Sequence, residues 1–141
     1  MLNWMLKVPL ALALALSLFA PVARADAPDP ATPAVQGFYA TLLECMKGGK
    51  TLGAQGRYDK LKPVIERTFD LSTMVKYAVG PAWSTTSAED QKALTDAFTR
   101  MTVAQYAGNF SSFDGEKFTV EPKAEIRGTD HYVKTALVAK D

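Results

Sequence analysis

Residues 88–120 read AEDQKALTDAFTRMTVAQYAGNFSSFDGEKFTV, and the hydrophobic period changes inside this stretch. Ser87 stands just before it, and Ser87-Ala88-Glu89-Asp90 resembles a capping box with Asp in place of the usual Glu. The spacing predicts the longest helix of the chain over about Ala88 to Ser112, with no Pro or Gly until Gly108. Leu94, Ala97, Phe98, Met101 and Ala104 form one stripe at helical spacing. After the Asp114-Gly115 turn the period is two, with Phe118 and Val120 alternating with polar neighbours up to Pro122. Two more strands are expected, Ala124 to Arg127 and Tyr132 to Ala139, joined by Gly128-Thr129-Asp130. Helices first and an antiparallel meander after them define an α+β domain, with the helices packed on one face of the sheet.

Toward the N-terminus the helical pattern continues. Val35, Phe38, Tyr39, Leu42, Leu43 and Met46 make one apolar face, which Gly48-Gly49 ends. A Gly-containing loop is expected over Lys50 to Gly56. Tyr58, Leu61, Val64, Ile65, Thr68 and Phe69 make a second helix, kinked at Pro63 or starting there. Asp70 suits the N-cap of a third, with Leu71, Met74, Val75, Ala78 and Val79 as its apolar face and Gly80-Pro81 as its end. Upstream, Asp26 to Pro33 (DAPDPATP) carries three prolines and two aspartates, so 26–34 is expected to be an extended linker before a single domain over 35–141.

Residues 1–25 have the layout of an export signal. Lys7 supplies a cation, Val8 to Ala20 is an uncharged apolar run, and Ala23-Arg24-Ala25 is an A-x-A site, so cleavage is expected after Ala25. The run is short for a membrane span, which needs roughly 20 apolar residues. Loss of Lys7 and Arg24 from 16 basic residues leaves 14 against 15 acidic ones. A near-neutral exported chain has no electrostatic pull on nucleic acid or anionic headgroups. The signal looks bacterial, so the expected compartment is the periplasm. The last expected strand reaches the end of the sequence with an unpaired edge, so further strands beyond Asp141 are expected.

The chemistry-bearing residues are few. One Cys and one His exclude a Cys/His zinc site and any internal disulfide. No nucleophile elbow, G-x-G-x-x-G or Walker pattern is present, and no cofactor is implied. Asp70 reads as a helix cap, His131 as an exposed residue beside a turn, and Cys45 as a free thiol on a helix. The apolar residues are more informative. From Val103 a second stripe appears on the long helix, Val103, Tyr106, Phe110 and Phe113, centred roughly 150° from the first. Either the helix is buried between other helices and the sheet, or its second side lines a cavity for an apolar ligand. Trp83 and the methionines would suit such a cavity.

Several segments in order resemble the MlaC, or toluene-tolerance, family. They are Phe69-Asp70-Leu71 to Met74, Ala78-Val79-Gly80-Pro81-Ala82-Trp83, Ser87 to Leu94, then Phe98, Tyr106, Phe110 and Phe113-Asp114-Gly115-Glu116-Lys117-Phe118. Gly56-Arg57-Tyr58, Leu61-x-Pro63-Val64 and Gly80-Pro81-Ala82-Trp83 look closest to its HpnM-like, hopanoid-associated branch. The resemblance implies an NTF2-like fold, in which helices and a curved antiparallel sheet enclose lipid tails. It implies a non-enzymatic periplasmic carrier of a phospholipid or hopanoid, serving an ABC- or RND-linked transport system. Its partners would be an inner-membrane transporter component and an outer-membrane acceptor or donor. Family members continue past the equivalent of Asp141, which leaves closure of the pocket in this chain open.

The candidate lipid-contacting residues are Met74, Ala78, Trp83, Val103, Tyr106, Phe110, Phe113, Phe118 and Val120. Two other readings compete, an NTF2-like enzyme of small apolar substrates and a non-catalytic envelope interaction module. Solvent extraction separates them, because a carrier arrives with lipid bound.

Overall fold

The structure is a computed structural model that describes residues 29–140. The expected export segment, 1–25, lies outside the described residues, as does the linker up to residue 28. Helix α1 spans Ala31–Thr68, so the extended linker expected through residue 34 ends at Pro30. Asp29 fixes this start, because its side chain accepts the Ala31 N–H at 2.9 Å.

Helix α1 is not straight. Gly49 (φ 40°, ψ −121°) and Gly53 (φ 65°, ψ 179°) break the helical backbone inside it. These angles suit glycine alone, since a Cβ strains the chain there. The expected stop at Gly48-Gly49 is therefore a break, and the loop expected over Lys50 to Gly56 contracts to the residues around two glycines. The two arms fold back on each other. Glu44 and Lys60 would stand about 24 Å apart along a straight helix, yet their side chains pair at 2.6 Å. Pro63 sits within the second arm without any non-helical angle.

Helix α2 spans Leu71–Val79 and is capped as expected, with the Asp70 carboxylate accepting the Thr73 N–H at 3.1 Å. A 3-10 turn follows over Gly80–Thr85. Helix α3 spans Ala88–Asn109, three residues short of the expected end, and kinked α1 is longer. The Ser87 hydroxyl oxygen accepts the Asp90 N–H at 3.1 Å and donates to the Asp90 carboxylate at 2.7 Å. The first half of a capping box is thus made, and the shorter acid turns onto the hydroxyl.

Each helix contributes to the core, α1 and α3 through residues spaced three or four apart. Phe38, Leu42 and Cys45 come from the first arm of α1, Leu61 and Ile65 from the second, Leu71 from α2, and Val103 and Ala107 from α3. Burial pushes the Cys45 thiol above its ordinary pKa, as expected of a thiol held in apolar surroundings.

The chain is α+β, helices followed by antiparallel strands, but the strands do not form the expected meander. Strand β1 (Lys117–Val120) pairs with β4 (Thr135–Val138), and β2 (Glu125–Arg127) pairs with β3 (Asp130–Tyr132). The result is one hairpin nested inside another, two two-stranded sheets in place of one curved sheet. Gly128, at φ 64°, makes the tight turn at the tip. Between the two ladders, residues 121–124 face only 133 and 134, and the Glu121 N–H donates to Lys134 O at 2.9 Å across the mismatch. The strand expected over Tyr132 to Ala139 is accordingly split into β3 and β4.

Candidate functional site

A cavity of about 510 Å³ lies between α1, α3 and the β1–β4 ribbon. Val35, Phe38, Tyr39 and Leu42 line it from the first arm of α1, and Thr68 and Phe69 from the end of α1. Helix α3 supplies Tyr106 and its C-cap residue Phe110, β1 supplies Phe118, and β4 supplies Leu137. The first arm presents its four residues at i, i+3, i+4 and i+7, the same face that carries the core lower down. The α3 pair is i, i+4, one turn beyond the buried Val103 and Ala107.

The aromatic walls hold one another. Phe38 meets Phe69 edge-on at 5.2 Å and Tyr106 edge-on at 5.3 Å, and Tyr39 stacks on Phe118 at 4.6 Å. Phe110 lies 6.2 Å from Phe118. Pairs of this kind add about 0.5–1.5 kcal/mol each beyond the area they bury, so the walls are fixed before anything enters. The Tyr39 and Thr135 hydroxyls lie 2.9 Å apart and join α1 to β4 at the rim. A second hollow of about 270 Å³ lies across the Tyr39–Phe118 stack, bounded also by Gln36, Ala40, Leu43 and Val120. The stacked pair is the wall common to both.

The polar side-chain groups of the larger cavity are the hydroxyls of Tyr39, Thr68 and Tyr106. Burial raises the Tyr106 pKa, with a smaller contribution from Tyr39, so its phenol is neutral at ordinary pH. No carboxylate, imidazole or cation lines the wall, so the arrangement can shelter apolar groups and offer a hydrogen bond from a hydroxyl. Among the described residues no cluster of His, Cys, Asp or Glu could hold a metal ion, and no helix is long and apolar enough to cross a membrane.

The structure brings together three of the nine residues expected to touch lipid, Tyr106, Phe110 and Phe118, with Val120 next door in the second hollow. The others are elsewhere. Val103 is fully buried in the core and lines no cavity, because α3 packs on α1 through Val103 and Ala107. Ala78 faces a separate groove of about 300 Å³ between α2 and α3, with Leu94 and Met101. The first apolar stripe of α3 is thus partly exposed, Met101 to 55%. Met74 is exposed on α2, Trp83 is half-buried in the 3-10 turn, and Phe113 lies beyond α3 under Lys47. Val35, Phe38, Tyr39, Leu42, Phe69 and Leu137 were missed as cavity residues. The helical face of 35–46 was legible, but a face does not say whether it meets protein or space.

A family model described as "MlaC protein" matches residues 36–141. No curated protein matches, and no solved structure does.

Proposed function

The chain belongs to the MlaC family, whose membership supports lipid binding and transport, and from that premise we propose that it is a periplasmic carrier that shelters lipid tails in the cavity between α1, α3 and the β1–β4 ribbon. The observation that carries the reading is the cavity itself, walled by six aromatic rings with three hydroxyls as the only polar side-chain groups. Each methylene kept from water is worth about 0.8 kcal/mol. A two-tailed lipid exposes tens of them and needs a greasy enclosure to cross an aqueous space. The export-signal layout of residues 1–25 supports the compartment. The segments similar to the hopanoid-associated branch support a hopanoid as one cargo, and a phospholipid is the other. A membrane-embedded lipid transporter on one side and an outer-membrane acceptor or donor on the other are the partners this reading requires. The chemistry of the wall favours a carrier over an enzyme.

The test is organic extraction of protein purified from its own host, followed by mass spectrometry, which also identifies the cargo. Val35→Trp and Leu137→Trp fill the cavity from its rim. They are expected to lower the lipid content severalfold while the melting temperature stays within a few degrees of wild type. Val103→Trp, in the core, is expected to cost about 1–3 kcal/mol of stability through overpacking. Unchanged lipid content in both rim variants removes the cavity from the mechanism.

A further inference from the structure

A separate concavity, about 660 Å³, opens at the far end of α3 from its cap, and its chemistry is opposite to that of the tail cavity. It is lined by Lys47, Lys50 and Arg57, by Ser111 and Ser112 in the loop after α3, and by Phe113. No carboxylate lines it. We propose that it is a binding site for a phosphate-type anion, a reading that stands apart from the tail cavity and does not depend on it.

Arg57 is the centre of the site. It is only 8% exposed, and no ion pair engages it among the described residues. Its Nε donates to Ala107 O at 2.7 Å and one terminal nitrogen donates to Gly49 O at 2.8 Å. A guanidinium has five N–H donors, so others remain for the concavity it lines. Burying a cation without a counter-charge is costly. The C-terminal dipole of α3 supplies an offset of roughly half a negative charge, against three whole positive charges converging here. A tetrahedral anion answers that excess, and the guanidinium fork and the two serine hydroxyls match its oxygens.

The site is built by the backbone as well as by charge. The break at Gly49 turns the chain so that Lys47 and Lys50 flank Arg57 from the other arm of α1. The same break brings Gly49 against the loop, where a Cβ added to it would stand 3.5 Å from Ser111 O. The Lys47 ammonium lies 5.3 Å from the centre of the Phe113 ring, which holds it at the wall. The acids nearby in sequence stay out of the lining, Asp114 and Asp59 included, and Asp59 accepts from the Gln55 amide at 2.8 Å. Glu44 pairs with Lys60, and Glu116 accepts the Asp114 N–H at 2.6 Å.

Free phosphate and the headgroup of a phospholipid share this chemistry. Met46 in this concavity lies one helical turn from Leu42 in the tail cavity, and Ser111 follows Phe110, so both sources can reach the site. The experiment uses both, on the full chain and on the double variant Lys47→Gln/Lys50→Gln, whose two changes are at exposed positions. In the first arm, sodium phosphate is titrated against sodium chloride at equal ionic strength, with melting temperature and calorimetry as readouts. In the second arm, dihexanoyl phosphatidic acid is compared with dihexanoylglycerol, which has the same tails and no phosphate. Wild type is expected to bind phosphate, or to prefer the phosphatidic acid, by on the order of tenfold over the double variant or the neutral lipid. Binding in the first arm alone assigns the site to a free anion, and preference in the second assigns it to a headgroup. Either result supports the site. Its absence in both arms, or an effect equal in wild type and variant, overturns it. Failure of both lipids to bind counts against the carrier reading and leaves the phosphate arm decisive for the anion site.

Discussion

At the scale of single residues, Arg57 binds three parts of the molecule together. It satisfies a carbonyl in the last turn of α3 and another at the break in α1. Hydrogen bonds to charged groups are worth about 1.5–3 kcal/mol, and Arg57→Ala leaves both carbonyls without their donor, so we expect a loss of about 3 kcal/mol by chemical denaturation. Arg57→Lys is expected to recover less than half of it, because a compact ammonium does not span two divergent acceptors as a planar fork does. Nothing in the sequence announced this role. A cation in a helical stretch reads as part of a solvated face, and only the fold shows that the face of the second arm carrying Arg57 turns inward against α3. The aromatic residues had the converse problem. Tyr106, Phe110 and Phe118 were legible as a group because they recur at the helical period and then resume at the strand period. Val103 shares their stripe, yet lies one turn too deep and belongs to the core.

At the scale of elements, two glycines with open space around them should respond in opposite senses. Neither Gly37 nor Gly53 has any atom within 4 Å of an added Cβ. Gly37 lies in regular helix, so Gly37→Ala is expected to raise stability by about 0.5–1 kcal/mol. Gly53 lies at φ 65° and ψ 179°, a region closed to other residues, and Gly53→Ala is expected to cost about 1–3 kcal/mol. Thermal melts of the two variants check both signs. The cap of α2 gives a pH dependence. The Asp70 carboxyl is held below its ordinary value of 3.8, first by the Thr73 N–H and then by the Thr73 and Ser72 hydroxyls. A depressed carboxyl stabilises the fold above its ordinary value, and that contribution disappears as the pH falls through the depressed one. Asp70→Asn keeps a cap but does not titrate, so its stability is expected to fall less steeply below about pH 4 than that of wild type. Both caps were legible because Ser87 and Asp70 precede apolar periods directly. The ribbon was not, since alternation tells which residues share a face and says nothing about which strand is the partner.

At the scale of the whole molecule, the helices form a tight unit and the ribbon leans on it by one end. β2 and β3 are exposed along their length, with Ile126 exposed to 64%. Amides of residues 125–132 are therefore expected to exchange with deuterium well before those of β1 and the core turns of α3, and equal protection would contradict this arrangement. Beyond the short-range Phe110–Phe118 contact, the ribbon is attached to α1 by contacts between positions far apart in sequence. Tyr39 meets Thr135 across 96 positions, and Asp29 meets His131 across 102. The two arms of α1, by contrast, pair Glu44 with Lys60 over a short loop. Contacts between distant positions cost the most chain entropy to close and tend to form late. The helical hairpin can thus assemble as soon as it is synthesised, while the ribbon must wait until Thr135 and its neighbours have been made. By the same reasoning the ribbon is the first piece to detach when the native state fluctuates. It is also the one wall of the tail cavity that is not helix, so a molecule could enter or leave by way of the last step of folding run briefly in reverse, with the helical core still intact.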